Sequence, residues 1–102
     1  MKNYEAFAAK FTFLRSLLEA TLQRQPAAIQ QSIRVDLLAP AERLVADAKN
    51  MSRSEVRALL TRLAERAWVY AGMSRFDANV KQSFSGATGI ILGILVKLIP
   101  EK

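Results

Sequence analysis

The chain has 102 residues, a formal net charge of +6 and neither cysteine nor histidine. A chain of this length forms one domain, and the missing residue types exclude disulfides, thiolate chemistry, the usual zinc sites and imidazole proton transfer. Residues 43–75 hold seven of the 15 basic residues but three of the nine acidic ones, so the positive charge is concentrated there. Such clustering is typical of a surface that binds an anionic partner, and a solvated helix face has the same pattern.

Helical patterns account for the first half of the chain. Residues 3–24 predict an amphipathic helix, whose apolar face comprises Phe7, Phe11, Leu14, Leu18 and Leu22. Proline then marks two boundaries, because it is tolerated in the first turn of a helix but not in its interior. Pro26 opens a predicted helix over 26–38, and Pro40 opens another over 40–48.

The best-defined predicted boundary lies at Ser52. Ser52 and Glu55 have the spacing of a capping box, in which each side chain satisfies a backbone N–H left open at a helix start. The helix that begins here is predicted over 52–71, and Gly72 interrupts it. Its apolar side chains form one stripe, which comprises Val56, Leu59, Leu60, Leu63 and Ala67. Asn50, just upstream, tolerates the left-handed conformation that often ends a helix.

The C-terminal third predicts two more helices separated by a hinge. Residues 74–84 have apolar side chains at four-residue steps, and Asp77 with Lys81 makes an i,i+4 charge pair. The Ser-Gly-Ala-Thr-Gly run at 85–89 predicts a turn. The nearly apolar stretch that follows favours a helix over 88–99, since no partner strand is visible elsewhere. This helix could belong to the core, to a dimer interface or to a membrane surface, and a membrane is the least favoured because the stretch is too short to span one.

These patterns predict a single-domain, all-α bundle of five or six short helices. The acidic residues have capping or surface-pair explanations, and no glycine-rich phosphate loop is present, so neither an enzyme nor a metal or cofactor site is predicted. The N-terminus lacks the uncharged core of a secretory signal because Lys10 and Arg15 interrupt it, which indicates the cytoplasm.

Residues 44–63 have the layout of a helix-turn-helix. Ala46 is the small residue at which two helices would cross, and Asn50 stands at the turn position, which is commonly glycine. The segment from Val45 to Val56 resembles that of bacterial winged-helix and related repressors, which often run Leu-Ala-acidic, then a Gly turn, then Leu-Ser-Arg-Ser-x-Val. The chain departs from that pattern at Asn50 and in having no two-stranded wing after the second helix.

The resemblance implies that the second helix lies in the major groove of DNA. On a helical wheel Arg57 lies opposite the apolar stripe of this helix, so it is the best candidate for a bidentate contact to guanine. The other implied nucleic-acid contacts are Arg53, Ser54 and Thr61 toward bases, Lys49, Arg62 and Arg66 toward phosphates, and Ser52 at the helix start. Proteins of this kind usually read two half-sites as dimers, so a homodimer is a further expectation.

The function that the sequence favours is a small, basic, non-catalytic DNA-binding regulator. The alternative is a helical protein-interaction module, such as an antitoxin, an immunity protein or a phage- or plasmid-encoded inhibitor of a host complex, whose partner presents an acidic surface. Trp68 is the candidate anchor for such a partner, because tryptophan is enriched among the residues that dominate interface energies. The competing interpretation places Trp68 in the core together with Tyr70.

Overall fold

The computed structural model describes residues 4–97, with Tyr4 described by its backbone alone, and in this range the chain has four helices and no strand. Helix α1 is Tyr4–Leu22, α2 consists of the consecutive segments Ala27–Ile33, Arg34–Leu38 and Ala39–Asp47, α3 is Arg53–Ala71, and α4 is Ala78–Lys97. The all-α prediction is confirmed, whereas the prediction of five or six short helices is wrong. Two of the predicted breaks are absent.

The apolar face predicted for the first helix is confirmed as part of the core. Its five members, Phe7, Phe11, Leu14, Leu18 and Leu22, are all buried. The predicted first residue of this helix, Asn3, lies outside the described residues. The restart at Pro26 is also confirmed, because Pro26 is the N-cap of α2 and its carbonyl accepts the backbone N–H of Gln30 at 2.9 Å.

Pro40 does not open a separate helix. A proline lacks the N–H that bonds the carbonyl four residues back, and its ring collides with that carbonyl in a regular α-helix. The preceding segment, Arg34–Leu38, is instead a π-helical turn, after which the N–H of Ala39 bonds the carbonyl of Arg34, five residues back. The wider turn carries the helix past the proline, so the two predicted helices are one.

The hinge predicted at 85–89 is also absent, because α4 continues through it. Glycine in a helix interior costs roughly 1 kcal/mol relative to alanine. A single buried stripe on both sides of the glycines offsets this cost by packing against α3 and α1, and comprises Val80, Phe84, Ala87, Thr88, Ile91, Ile94 and Leu95. The last two residues of the predicted 88–99 helix lie outside the described residues.

Helix α4 begins at Ala78, four residues later than predicted. The carboxylate of Asp77 accepts the backbone N–H of Val80 at 2.9 Å and so caps the helix start. Within residues 4–97, Asp77 and Lys81 make no ion pair. The predicted pair is therefore replaced by a cap, in which the carboxylate satisfies a backbone donor that would otherwise be open.

The bundle is dominated by α3 and α4, which pack along most of their length, while α1 covers α4, and α2 lies against α1 and α3. An aromatic cluster fills the end where α3 connects to α4. There the ring centroid of Phe84 lies 5.2 Å from that of Tyr70 and 5.3 Å from that of Phe76. None of the helices in the described part of the chain has the length and apolarity needed to cross a membrane.

Candidate functional site

The start of α3 has the capping box that the sequence predicts. The hydroxyl of Ser52 accepts the backbone N–H of Glu55 at 3.2 Å, and the carboxylate of Glu55 accepts the backbone N–H of Ser52 at 3.3 Å. Asn50 is the last residue of a 3₁₀ turn, Ala48–Asn50, that connects α2 to this start. The reversal between the two helices is thus made by a tight helical turn and an extended Met51 rather than by a left-handed residue.

Burial on the two helices follows the predicted stripe except at the crossing. Val56, Leu60, Leu63 and Ala67 on α3 are buried, as predicted. Leu59, also expected to face inward, is half-buried. Ala46, the residue expected where the helices cross, is exposed, and the buried alanine is Ala48 in the 3₁₀ turn.

Arg57, the predicted reader of a base, is held by a contact within the protein. Its Nη1 donates to the carbonyl of Leu95 at 3.1 Å, and its side chain is half-buried. That carbonyl lies in the last described turn of α4, so the bond joins α3 to α4. The hydroxyl of Thr61 likewise stays on its own helix, donating to the carbonyl of Arg57 at 2.8 Å.

The remaining predicted contacts are all exposed, namely Lys49, Ser52, Arg53, Ser54, Thr61, Arg62 and Arg66. They do not form one cluster. Lys49, Arg53 and Ser54 lie around the start of α3, whereas Arg62 and Arg66 lie one helical turn apart in the middle of this helix. The second pair borders a hollow that the sequence did not reveal.

This hollow, the α2–α3 groove, runs between the two helices and has an apolar floor. Its larger part has a volume of about 570 Å³ and adjoins a smaller one that shares Val35, Pro40, Leu59 and Arg62. Val35, on the π-helical turn, is 57% exposed. The turn that accommodates Pro40 thus includes one of the apolar side chains of the groove. Such π-helical turns frequently occur at functional sites.

Charged side chains surround this floor, and in the described range the carboxylates among them are hydrogen-bonded or ion-paired whereas two arginines are not. Three carboxylates line the groove and each has a partner. Asp36 accepts the hydroxyl of Tyr70, Asp47 lies 3.9 Å from Nε of Arg43, and Glu55 belongs to the capping box. Within residues 4–97, Arg62 and Arg66 make neither a hydrogen bond nor an ion pair. The α3 edge of the groove is therefore the part able to receive an anion.

Tyr70 joins α3 to the groove wall. Its hydroxyl donates to Oδ2 of Asp36 at 2.7 Å. Burial raises the pKa of Tyr70 to about 12, the hydrogen bond to Asp36 and the negative charge of Asp36 act in the same direction, and the nearby Arg66 opposes them. The hydroxyl is therefore protonated at neutral pH and holds the carboxylate of Asp36 in place.

Trp68 lies on the surface rather than in the core. It is 64% exposed, while its neighbour Tyr70 is buried, so the interpretation that placed both in the core is wrong for Trp68. At about 100° per residue, Trp68 lies about 120° around α3 from Arg62. It is therefore on a different edge of the helix from the groove.

In the described range, no group of three or more acidic, histidine or cysteine side chains is placed to hold a metal ion. No family model matches the chain, and neither the curated proteins nor the solved structures include a detectably similar one.

Proposed function

We propose that the protein is a non-catalytic, cytoplasmic binding protein that receives an acidic amphipathic segment of another protein in the α2–α3 groove. The observation that carries this proposal is the placement of Arg62 and Arg66. They stand one turn apart beside an apolar floor, with no hydrogen bond or ion pair to the described residues. The protein would then regulate its partner by contact.

The apolar floor favours a polypeptide over nucleic acid. DNA phosphates are met by cations and N–H donors, and they gain nothing from Val35 or Leu59. An amphipathic segment uses both parts of the groove, its apolar side chains on the floor and its carboxylates on the arginines. The planar guanidinium also matches a carboxylate in a two-point contact.

The two parts of the groove contribute differently to binding. Exposed ion pairs are worth about 0.2–1 kcal/mol each, so the arginines mainly orient the partner and speed its association. Covering an apolar side chain is worth roughly 1.5–3 kcal/mol when the burial is complete. Most of the affinity should therefore come from the floor, and most of the discrimination between partners from Arg62 and Arg66.

The proposal is tested with a synthetic helical peptide that has leucine on one face and glutamate on the others. Its affinity for the folded protein is measured by calorimetry, with a peptide of the same composition and scrambled order as the reference. We expect the ordered peptide to bind, and the double substitution Arg62→Glu/Arg66→Glu to weaken binding about tenfold or more. Leu59→Ser should weaken it as well, because the floor loses an apolar contact.

A matched control separates the groove from net charge. The double substitution Arg15→Glu/Arg24→Glu changes the charge equally at exposed sites outside the groove, and it should leave affinity within about twofold. If both double substitutions weaken binding equally, the peptide is attracted by the net charge and not by the groove. Absence of binding to the ordered peptide would overturn the proposal. Trp68 remains the proposed anchor on the other edge of α3. The peptide affinity of the Trp68→Ala variant shows whether the bound segment extends to that edge.

DNA binding through the helix-turn-helix is the second candidate. The specific observation in its favour is that the capped start of α3 leaves Arg53 and Ser54 exposed after a short turn. Binding to duplex DNA across a salt series tests it, since phosphate contacts give affinity that falls steeply with salt. Arg53→Ala should weaken binding, while Arg57→Ala should act mainly on stability, because Arg57 is bonded to Leu95. No binding at low salt rules this candidate out.

A further inference from the structure

A second groove, between α1 and α4, lies on a surface that the proposed function does not use. Its volume is about 420 Å³, within the range of small-ligand sites. Its apolar part is formed by Phe13 and Ile90 and, deeper, by Ile94, while Gly86, Gly89 and Gly93 leave backbone uncovered along α4. Phe13, at 61% exposure, has its ring largely in solvent beside this groove.

The glycines are not needed by any neighbour within the chain. A Cβ added at Gly89 or Gly93 would meet nothing within 4 Å, and one at Gly86 would make an ordinary contact with Leu17. Three helix-interior glycines together cost roughly 3 kcal/mol relative to alanine. Their effect is to keep the groove open.

Two lysines lie at the same end of this groove. Gly86 faces Leu17, which sets the alignment of the two helices. Lys10 is about 10 Å before Leu17 along α1, and Lys97 is about 16 Å beyond Gly86 along α4, at 1.5 Å per residue. Because both lysines line the same hollow, the helices must run antiparallel, and both ammonium groups lie at the end away from Leu17.

The charge at this end is suited to an anion. Lys10 and Lys97 are exposed, and neither forms an ion pair within residues 4–97. The guanidinium of Arg57, which donates to the carbonyl of Leu95, adds a further positive charge at this end of α4.

We propose that the α1–α4 groove binds a single-chain anionic amphiphile, a long-chain carboxylate such as laurate. Its carboxylate lies between Lys10 and Lys97, and its chain lies over Gly93 and Gly89 toward Gly86. The exposed lysines at one end favour an anionic head group, and the uncovered glycine backbone leaves room for one unbranched chain.

The test is calorimetric titration of the full chain with laurate below its micellar concentration, with dodecanol as the uncharged counterpart. We expect saturable binding of laurate and about tenfold weaker binding of dodecanol. Lys10→Glu/Lys97→Glu should weaken laurate binding about tenfold or more, and Arg15→Glu/Arg24→Glu, with the same change in net charge, should not. Gly93→Leu should abolish binding while raising thermal stability, because leucine fills the groove and favours the helix.

Three outcomes would overturn the inference: no saturable binding of laurate, equal binding by the lysine variant, or full binding by Gly93→Leu. Binding to phosphatidylglycerol vesicles without binding of free laurate would indicate a membrane surface and also overturn it. The two grooves share no residue. The result is therefore independent of the peptide experiment, and either proposal can fail alone.

Discussion

Replacing Gly89 with alanine should raise the free energy of unfolding by about 1 kcal/mol. Gly89 lies in the interior of α4, and a Cβ there would meet nothing within 4 Å, so alanine adds helix preference without a clash. Alanine also reduces the freedom of the unfolded chain. For a domain of this size, 1 kcal/mol corresponds to a rise in melting temperature of about 4–8 °C.

The measurement is thermal unfolding followed by circular dichroism at 222 nm, a wavelength that reports helix. Gly72→Ala is the control, because Gly72 ends α3 at φ −94° and does not lie in a helix interior. We expect a smaller rise there, because alanine reduces the freedom of the unfolded chain but adds no helix-interior preference. An unchanged or lower melting temperature for Gly89→Ala would show that the chain leaves the helix at 85–89, as the sequence pattern suggested, and would refute the continuous α4.

Two further predictions concern single side chains on α3. Ser52→Ala should lower the free energy of unfolding by about 1 kcal/mol in urea titrations, because it removes the acceptor for the N–H of Glu55, and no loss would contradict the capping box. Tyr70→Phe should cost about 1–2 kcal/mol at neutral pH, because it removes the donor to Asp36. Since the pKa of Tyr70 is raised from 10.0 to about 12, this stabilisation is fully present below pH 10 and is lost as the pH rises through 12. The difference in unfolding free energy between the two proteins should therefore shrink over that range, and a constant difference would contradict the assignment.

Much of the helical architecture could be predicted because its signals are local. The apolar stripe of α1 and the capping box at Ser52 involve residues three or four positions apart, which face one another as soon as a helix forms. The same holds for the restart at Pro26. The prediction was wrong at Pro40 and at 85–89, where packing between helices outweighs residues that locally favour a helix end. There a π-helical turn and a continuous buried stripe carry the helices through residues that usually end them.

The candidate sites depend on contacts between residues far apart in the chain, which the spacing of residues within one helix cannot predict. Arg57 was assigned to DNA from its position on a helical wheel, yet its partner, Leu95, is 38 residues away. The bond between Tyr70 and Asp36 spans 34 residues and helps to form the wall of the α2–α3 groove. Val35 is exposed on the π-helical turn beside Pro40, and only the packing of α2 against α3 makes it part of a groove.

The sequence by itself determined that this protein is helical, where α3 begins and which faces of α1 and α3 are buried, since each of these depends on interactions within one or two helical turns. The tertiary structure decided how many helices there are, because packing between helices outweighs the cost of a proline or a glycine of a few kcal/mol. It also decided which arginines remain available to a partner. Whether a side chain on the flank of a helix is solvated or hydrogen-bonded depends on the residues that the neighbouring helix places beside it. Those residues are distant in the chain, so the local sequence does not reveal them.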